Sequence, residues 1–374
     1  MKILIKQFLS QKHSWSYIGH ELARQFIKQG HEVDLFPTDG NNGIIPSDLK
    51  KHVIGYKNLN SNKIFGKEPE KIYDMQYSYT ALKNVEHYLL YAKNRYAQWT
   101  YEWVSTNNKN ILPPGFNIAY KYCDYILAPS NYTKDYQFIP AKIPENKIKV
   151  IPHGVNKILF KSNKKIPLNT DKSFKFLVNL QQTHLRKNLE GVLEAYGRAF
   201  TNKDDVCLII KAKDKKPEAT FEFSLNKFIK SFCEKYKEHA EVKIISEFIP
   251  DIVNLYNSID CLVSLSYGEG FGMIILESLC AGKPVITTSL GPHLDFTNEK
   301  DTLYVKSKFE KTNPKSMYWH QSPLAEWIVS DINDIAEKMI YMVKNYNNFF
   351  VDKEYYLNTF SWERISHQIL NLNK

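Results

Sequence analysis

Two successive alternations of strand-like and helix-like segments predict an α/β chain built from two doubly wound, Rossmann-like domains. Three observations carry this. The opening residues read strand, helix, strand, which at this spacing implies a parallel pair. A second alternation of the same kind begins near Phe174 and runs for more than a hundred residues. The length, 374 residues, suits two domains of ~100–200 residues each.

In the first series, Lys2 to Phe8 is an apolar run of strand length. Ser16 to Gln29 carries Ile18, Leu22, Phe26 and Ile27 at helical spacing, and Gly30 follows where a helix end favours a left-handed residue. His31–Phe36 is the next strand. Residues 37–70 are rich in Gly, Asn, Lys and Pro and read as loops. Ile72–Thr80 and Tyr96–Val104 are aromatic, β-prone runs, with a helical stretch expected over Ala81–Lys93. Asp124–Ala128 and Lys147–Ile151 are two further strands. The polar, Lys-rich stretch Asn156–Asp171 reads as a linker.

The second series reads as strands at Phe174–Asn179, Val206–Ala212, Val242–Ile245, Cys261–Leu265 and Pro284–Thr287. Helices are expected at Asn188–Ala199, Ser224–Glu238, Ile252–Ser258, Met273–Ala281 and Asp331–Asn345, with loop over Lys306–Glu326 and a last helix at Trp362–Leu372. Ligands of doubly wound sheets bind outside the carboxyl ends of the strands. With two such domains facing a cleft, that cleft is the expected site.

Composition narrows the class. The chain is 43% hydrophobic and 24% charged, ordinary for a globular protein. No run of ~18 uncharged apolar residues suggests a membrane helix. The first apolar run is too short for a signal peptide, so a cytoplasmic protein is expected. Cys123, Cys207, Cys233, Cys261 and Cys280 form no C-x-x-C pair, so neither a disulfide framework nor a zinc site is expected. The net charge is +10, with 20 Lys and Arg against 13 Asp and Glu in residues 1–150. Such a face suits an anionic membrane at its periphery or an acidic glycan, but equally a Lys-rich solvated surface. The basic residues are scattered and no nucleic-acid motif is present, so no nucleic acid is expected as partner.

The chemistry concentrates in Ser266–Thr288. Gly268, Gly270 and Gly272 lie between a strand and a helix, where backbone can approach a ligand and helix N–H groups suit a pyrophosphate. Met273 stands where a dinucleotide fingerprint needs its third glycine, so that motif is excluded. Glu269 lies in the glycine turn and Glu277 in the helix. Five residues from Gly272 to Glu277 cover roughly 7.5 Å of helix axis, enough for two carboxylates to hold two ends of an extended, hydroxyl-rich ligand. A plain glycine turn with Glu277 as a solvated helix residue is the alternative. Arg186 and Lys187 open another helix, where cations oppose the helix dipole unless an anion sits nearby; a basic solvated turn is the alternative there.

The Glu269-x7-Glu277 pattern resembles the donor motif of the family 4 retaining glycosyltransferases, of GT-B fold. Ala281–Ile286, Ala128–Ser130, Lys147–Val155, Arg186–Asn188, Glu194-Ala195 and Phe360–Trp362 extend the resemblance, most strongly in the C-terminal half. It implies an acceptor-binding domain over residues 1–155 joined by a returning helix, 360–374, that crosses back to it, and a donor-binding domain over 156–359. It implies transfer of a sugar from a nucleoside diphosphate, with retention, to a glycan, lipid-linked or other hydroxyl acceptor. Glu269 would be catalytic, orienting the sugar. Arg186, Lys187, Gly270, Phe271, Gly272, Met273 and Glu277 would bind the donor. The Arg that the family places at the end of the first C-domain strand is replaced here by Asn179-Leu180. No D-x-D is present, so neither a metal nor any cofactor beyond the nucleotide sugar is expected.

For the acceptor, Ser14, Trp15 and Ser16 follow the first strand and Glu102-Trp103 a later one; Ser16 as a helix N-cap and Trp103 as a core residue are the preferred alternatives. His13, His20, His153 and His184 stand near strand ends and read as packing or surface residues. A nucleotide-sugar epimerase of the same architecture, or a binding protein weakened at Leu180, are the alternative functions.

Overall fold

The computed structural model describes residues 1–10, 14–39, 45–54, 73–79, 92–112, 120–180, 185–212, 225–312, 322 and 324–372. The chain divides into two units. The first holds Met1–Asn156, Tyr318–Ala325 and Phe360–Lys374; the second holds Lys157–Met317 and Glu326–Thr359.

The first unit is a parallel six-stranded sheet. Its strands are β1 (Lys2–Gln7), β2 (Glu32–Pro37), β3 (Tyr73–Tyr79), β4 (Ala92–Gln98), β5 (Tyr125–Ala128) and β6 (Ile148–Val150), in the order β2-β1-β3-β4-β5-β6. In β1, Ile3, Leu4 and Ile5 are all fully buried, as a parallel strand covered on both faces requires. Helix α1 (Ser14–Lys28) buries Ile18, Leu22 and Phe26, spaced four apart, and Gly30 follows at φ +81°. The last helix of the chain also belongs to this unit: Trp362, Ile365 and Ile369 enter the same core as Ile3, Leu22 and Phe26.

The second unit repeats the plan. Its strands are β7 (Phe174–Asn179), β8 (Val206–Lys211), β9 (Glu241–Ile245), β10 (Cys261–Ser264), β11 (Val285–Thr288) and β12 (Thr302–Val305), all parallel, in the order β12-β11-β10-β7-β8-β9. Between them run α2 (Leu189–Ala199), α3 (Leu225–Lys235), α4 (Ile252–Asn257) and α5 (Met273–Cys280). A two-stranded antiparallel ribbon follows, β13 (Ser307–Lys311) with β14 (Glu326–Ser330), and then α6 (Ile332–Asn345), α7 (Lys353–Thr359) and α8 (Trp362–Leu370), the last in the first unit. The α/β class and the paired Rossmann-like plan are those predicted.

Three local expectations need correction. Strand β4 covers Ala92–Gln98 rather than Tyr96–Val104; its last paired residue, Gln98, stands opposite Tyr79 of β3 and Leu127 of β5. Ala92 and Lys93, expected to end a helix, are therefore strand; residues 81–91 lie outside the described part. The stretch Lys306–Glu326, read as loop, contains β13, whose charged residues Lys308, Glu310 and Lys311 hide its alternation. The Asn156–Asp171 stretch lacks long elements, yet it is tied down in the second unit: Asn257 Nδ2 donates to the carbonyls of Ser162 and Lys164 (2.8 and 3.0 Å), and Ile166 N donates to Ser258 Oγ (2.8 Å).

The seat of α8 makes one residue critical. Val155 N donates to Phe360 O at 2.7 Å, and a Cβ added at Gly154 would lie 2.7 Å from the Trp362 indole and 3.0 Å from its backbone nitrogen. Trp362 is 2% exposed and cannot swing away. Gly154→Ala is therefore expected to destabilise the first unit by about 1–3 kcal/mol. Calorimetry checks this, and an unchanged melting temperature would show that α8 does not press on Gly154.

Candidate active site

Strand order in the second sheet reverses between β7 and β10, and ligands of open α/β sheets bind at such a switch point. The carboxyl ends there belong to Asn179 and to the loop 265–272. That loop turns into α5 through Gly272, whose φ of +89° strains any other residue. Of the three glycines expected to be special in this turn, Gly272 is the one in the left-handed region.

The loop is clamped to the turn Leu185–Lys187. Tyr267 N donates to Arg186 O (2.8 Å), Arg186 Nη1 to Gly268 O (2.5 Å), and Asn188 Nδ2 to Leu265 O (3.1 Å). Asn188 is itself left-handed and caps α2 by accepting from Gly191 N (3.1 Å). A Cβ at position 191 would meet that cap at 2.5 Å, so the glycine is required.

This clamp aims both cations at one carboxylate. Lys187 Nζ lies 2.5 Å and Arg186 Nη1 3.2 Å from Glu269 Oε1, with the three side chains only 15–18% exposed. Burial alone would raise the Glu269 pKa, but the charges of Lys187 and Arg186, with hydrogen bonds from Lys187 and Ser266, outweigh it and hold the carboxyl at about 2. The sequence placed the cations and Glu269 in one site but did not foresee their direct pairing; a carboxylate shielded beside two cations pairs with them. Leu180, where an arginine is usual, is buried in the hydrophobic core and brings no charge.

Glu277 is held differently. It is no solvated helix residue: the Tyr256 hydroxyl donates to its Oε2 at 2.8 Å, and Asn179 Nδ2 donates to the Tyr256 oxygen at 3.2 Å. Burial pushes the Glu277 carboxyl up to about 7, against the pull of the Tyr256 hydrogen bond. Sequence reasoning missed Tyr256 and His293, and noted Asn179 only as part of the pair replacing an arginine, not as a partner of Tyr256. His293 is buried with its Nε2 2.8 Å from Thr288 O, and burial holds its pKa down to about 4. With Ser264, Ser266, Thr287 and Glu269 it lines a small pocket behind the loop. The available signal was position: Tyr256 ends the helix before β10, and His293 follows β11.

In the first unit, the switch point lies between β1 and β3. Trp15 is half-buried there, its ring 5.1 Å from Tyr79 and 5.9 Å from Phe8. Glu102 lies near enough for its charge to bear on the Tyr79 phenol. Trp103 is 4% exposed, a core residue. Ser14 is exposed and begins α1, so Ser16, expected as the cap, lies inside the helix and is buried. His20 is buried with Nε2 2.9 Å from Leu9 O, and His153 is buried against Tyr79. His13 and His184 lie outside the described residues.

Two doubly wound parallel sheets in one chain, with paired glutamates at the second switch point, define the GT-B class of fold. Residues 160–316 match the family model described as glycosyl transferases group 1. The chain is 22% identical over 281 residues to an uncharacterized glycosyltransferase of Methanocaldococcus jannaschii, a match covering 72% of this chain and 64% of the relative. It is 23% identical over 341 residues to a probable sucrose-phosphate synthase of Thermosipho melanesiensis, covering 83% and 71% of the two chains. Among solved structures, a glycosyltransferase from Rickettsia africae superposes with a TM-score of 0.72 at 19% identity, over 99% of this chain and 97% of the other. Anabaena HepE in complex with UDP and glucose superposes with a TM-score of 0.68 at 16% identity, over 99% and 98%.

The two carboxyls predict opposite pH effects on stability. Glu277 keeps its proton in the folded chain up to about pH 7 but loses it near 4.5 when unfolded, so its contribution falls as pH rises between those values. Glu277→Gln is expected to be more stable than the parent by about 1–3 kcal/mol at pH 8, the gain fading toward pH 4.5. Glu269, held at about 2, stabilises above the ordinary carboxylate range and loses this as pH falls, so Glu269→Gln should destabilise at pH 8 and converge with the parent near pH 2. Melting temperatures across pH check both; matching profiles for the two variants would contradict the assignment.

Proposed function

We propose that this chain transfers a sugar from a nucleoside diphosphate to a hydroxyl of a glycan, lipid-linked glycan or other acceptor, with retention at the anomeric carbon, in the manner of the family 4 enzymes. The observation that carries this reading is the pair of glutamates in opposite settings at one switch point: Glu269 ionised between two cations, and Glu277 shielded on Tyr256. The UDP and glucose bound to the Anabaena neighbour support a nucleotide-sugar donor.

In this reading the diphosphate lies at the amino end of α5, against the backbone of Gly270, Phe271, Gly272 and Met273. Arg186 and Lys187 then serve two anions, the diphosphate and Glu269. Glu269 orients the sugar hydroxyls and stabilises positive charge developing at the ring carbon. Glu277 accepts from the ribose hydroxyls. The acceptor oxygen bonds to the anomeric carbon on the face from which the diphosphate departs. The bond to the phosphate oxygen breaks with its electron pair going to phosphate, and the acceptor proton passes to that phosphate. The cations stabilise the charge accumulating on the leaving group. Acceptor recognition falls to the first unit, where Trp15 offers an aromatic face and Ser14 and Glu102 offer hydrogen bonds; Ser16 and Trp103 support them by packing. Among the described residues no helix is long and apolar enough to cross a membrane; contact with an anionic membrane would be peripheral. Leu180 favours one second reading, a nucleotide-sugar binder with weakened catalysis, and measuring released nucleoside diphosphate with and without acceptor separates this from both transfer and epimerisation.

Lys187→Ala is expected to weaken nucleoside diphosphate binding by about 1.5–3 kcal/mol, while nucleoside binding is unchanged. Calorimetric titration checks this, and equal losses for both ligands would remove Lys187 from the phosphate site. Glu269→Gln should abolish most turnover while binding nucleoside diphosphate as tightly as the parent or tighter, because both cations are freed. Transfer should also survive EDTA; complete loss restored by Mg²⁺ or Mn²⁺ would contradict a cation site made only of Arg186 and Lys187.

A further inference from the structure

Behind Glu277 lies a polar chain within the protein. Asn179 ends β7 and is 2% exposed. Its amide donates to the Tyr256 oxygen at 3.2 Å, and Tyr256, fully buried, donates to Glu277 Oε2 at 2.8 Å. The direction of this chain is fixed. Burial and the neighbouring Glu277 charge raise the Tyr256 pKa far above its ordinary value, so the phenol keeps its proton and acts as a donor. The helix that carries the phenol is capped by Asp251, which accepts from Val253 N, and is tied at its far end by Asn257, which donates to the carbonyls of Ser162 and Lys164. One oxygen of Glu277 is therefore committed. The other has no hydrogen-bonding partner among the described residues and remains for a ligand hydroxyl. Asn179 Oδ1 is buried without a partner as well. Leaving a buried amide oxygen unpaired costs about 1–3 kcal/mol.

We propose that Tyr256, oriented by Asn179, is a positioning residue that fixes the Glu277 carboxyl to accept from a vicinal diol, and so sets the preference of the donor site for ribonucleotides over nucleotides lacking the ribose hydroxyls. The proposal rests on the reading that Glu277 holds the ribose. It also assigns a task to the strand end where the family resemblance leads one to expect an arginine. In this chain the charge of the diphosphate is met by the turn carrying Arg186 and Lys187, and the end of β7 is given over to aligning the sugar side of the nucleotide.

The test uses the full chain and calorimetric titration with UDP, ADP and GDP, each beside its 2′,3′-dideoxy counterpart. At pH 8, above the Glu277 pKa of about 7, the parent should bind the tightest of the three ribonucleotides at least ~10-fold more strongly than its dideoxy form, the worth of one or two hydrogen bonds to a charged group. Tyr256→Phe should lower ribonucleotide affinity by ~10-fold and leave dideoxy affinity unchanged, so that the ratio collapses toward one. A merely structural role for Tyr256 would weaken both ligands together. Glu277→Gln separates the two layers. If Glu277→Gln keeps the parent ratio, Glu277 does not hold the ribose and the underlying reading fails. If Glu277→Gln collapses the ratio and Tyr256→Phe keeps it, the positioning role alone is overturned. Should Tyr256→Phe not fold, Asn179→Ala, which leaves the phenol without its orienting donor, must lower the ratio by at least ~3-fold; an unchanged ratio there also overturns the proposal.

Discussion

The carboxylate of Glu269 lies between two cations supplied from across the switch point, and the geometry of the second unit's site follows from that contact. Arg186 reaches Glu269 while its guanidinium and its carbonyl both bond the loop after β10. The glycine turn is thus gripped through backbone and side chain at once. Without this grip, a loop of small residues between a strand and a short helix would have many conformations at similar energy. With it, the loop before α5, the two cations and Glu269 are tied into one arrangement.

The two glutamates show how burial and neighbours divide one chemistry into two. Both are removed from water, which penalises the charged form. Glu269 has two cations within hydrogen-bonding distance and stays ionised; Glu277 has a phenol and shares its proton with solvent near neutrality. A permanent negative charge is suited to steadying a positive centre. A carboxyl near its midpoint is suited to taking hydrogen bonds from hydroxyls without a large cost in transferring a bare charge from water.

Much of this was legible in the sequence, and the limits are physical. Strands such as Phe174–Asn179 and Cys261–Ser264 are buried on both faces and announce themselves as apolar runs. Strand β4 carries Lys93, Asn94 and Arg95 at its exposed start, and β13 alternates charges with a single Phe309, so neither shows an apolar signature. At the site, Glu269, Glu277, Arg186 and Lys187 could be named from glycine spacing and from cations opposing a helix dipole. Tyr256 and Asn179 could not, because a buried hydrogen bond between residues 77 positions apart leaves no periodic mark. Ser16 was misplaced for a similar reason: a serine before an apolar period signals a cap, but the helix begins one half-turn earlier, at Ser14.

The seat of α8 beside Gly154 has a consequence for the order in which the chain is made. Trp362, Ile365 and Ile369 complete a core whose other members are residues 3 to 151. A ribosome working at ~5–20 residues per second therefore emits the first unit's sheet many seconds before the helix that closes it. Over that interval the six parallel strands of the second unit, Phe174 to Val305, are emitted in turn. The earlier-synthesised unit therefore keeps an apolar face open until Trp362, Ile365 and Ile369 emerge, and transiently exposed apolar surface of this kind favours aggregation of a nascent chain.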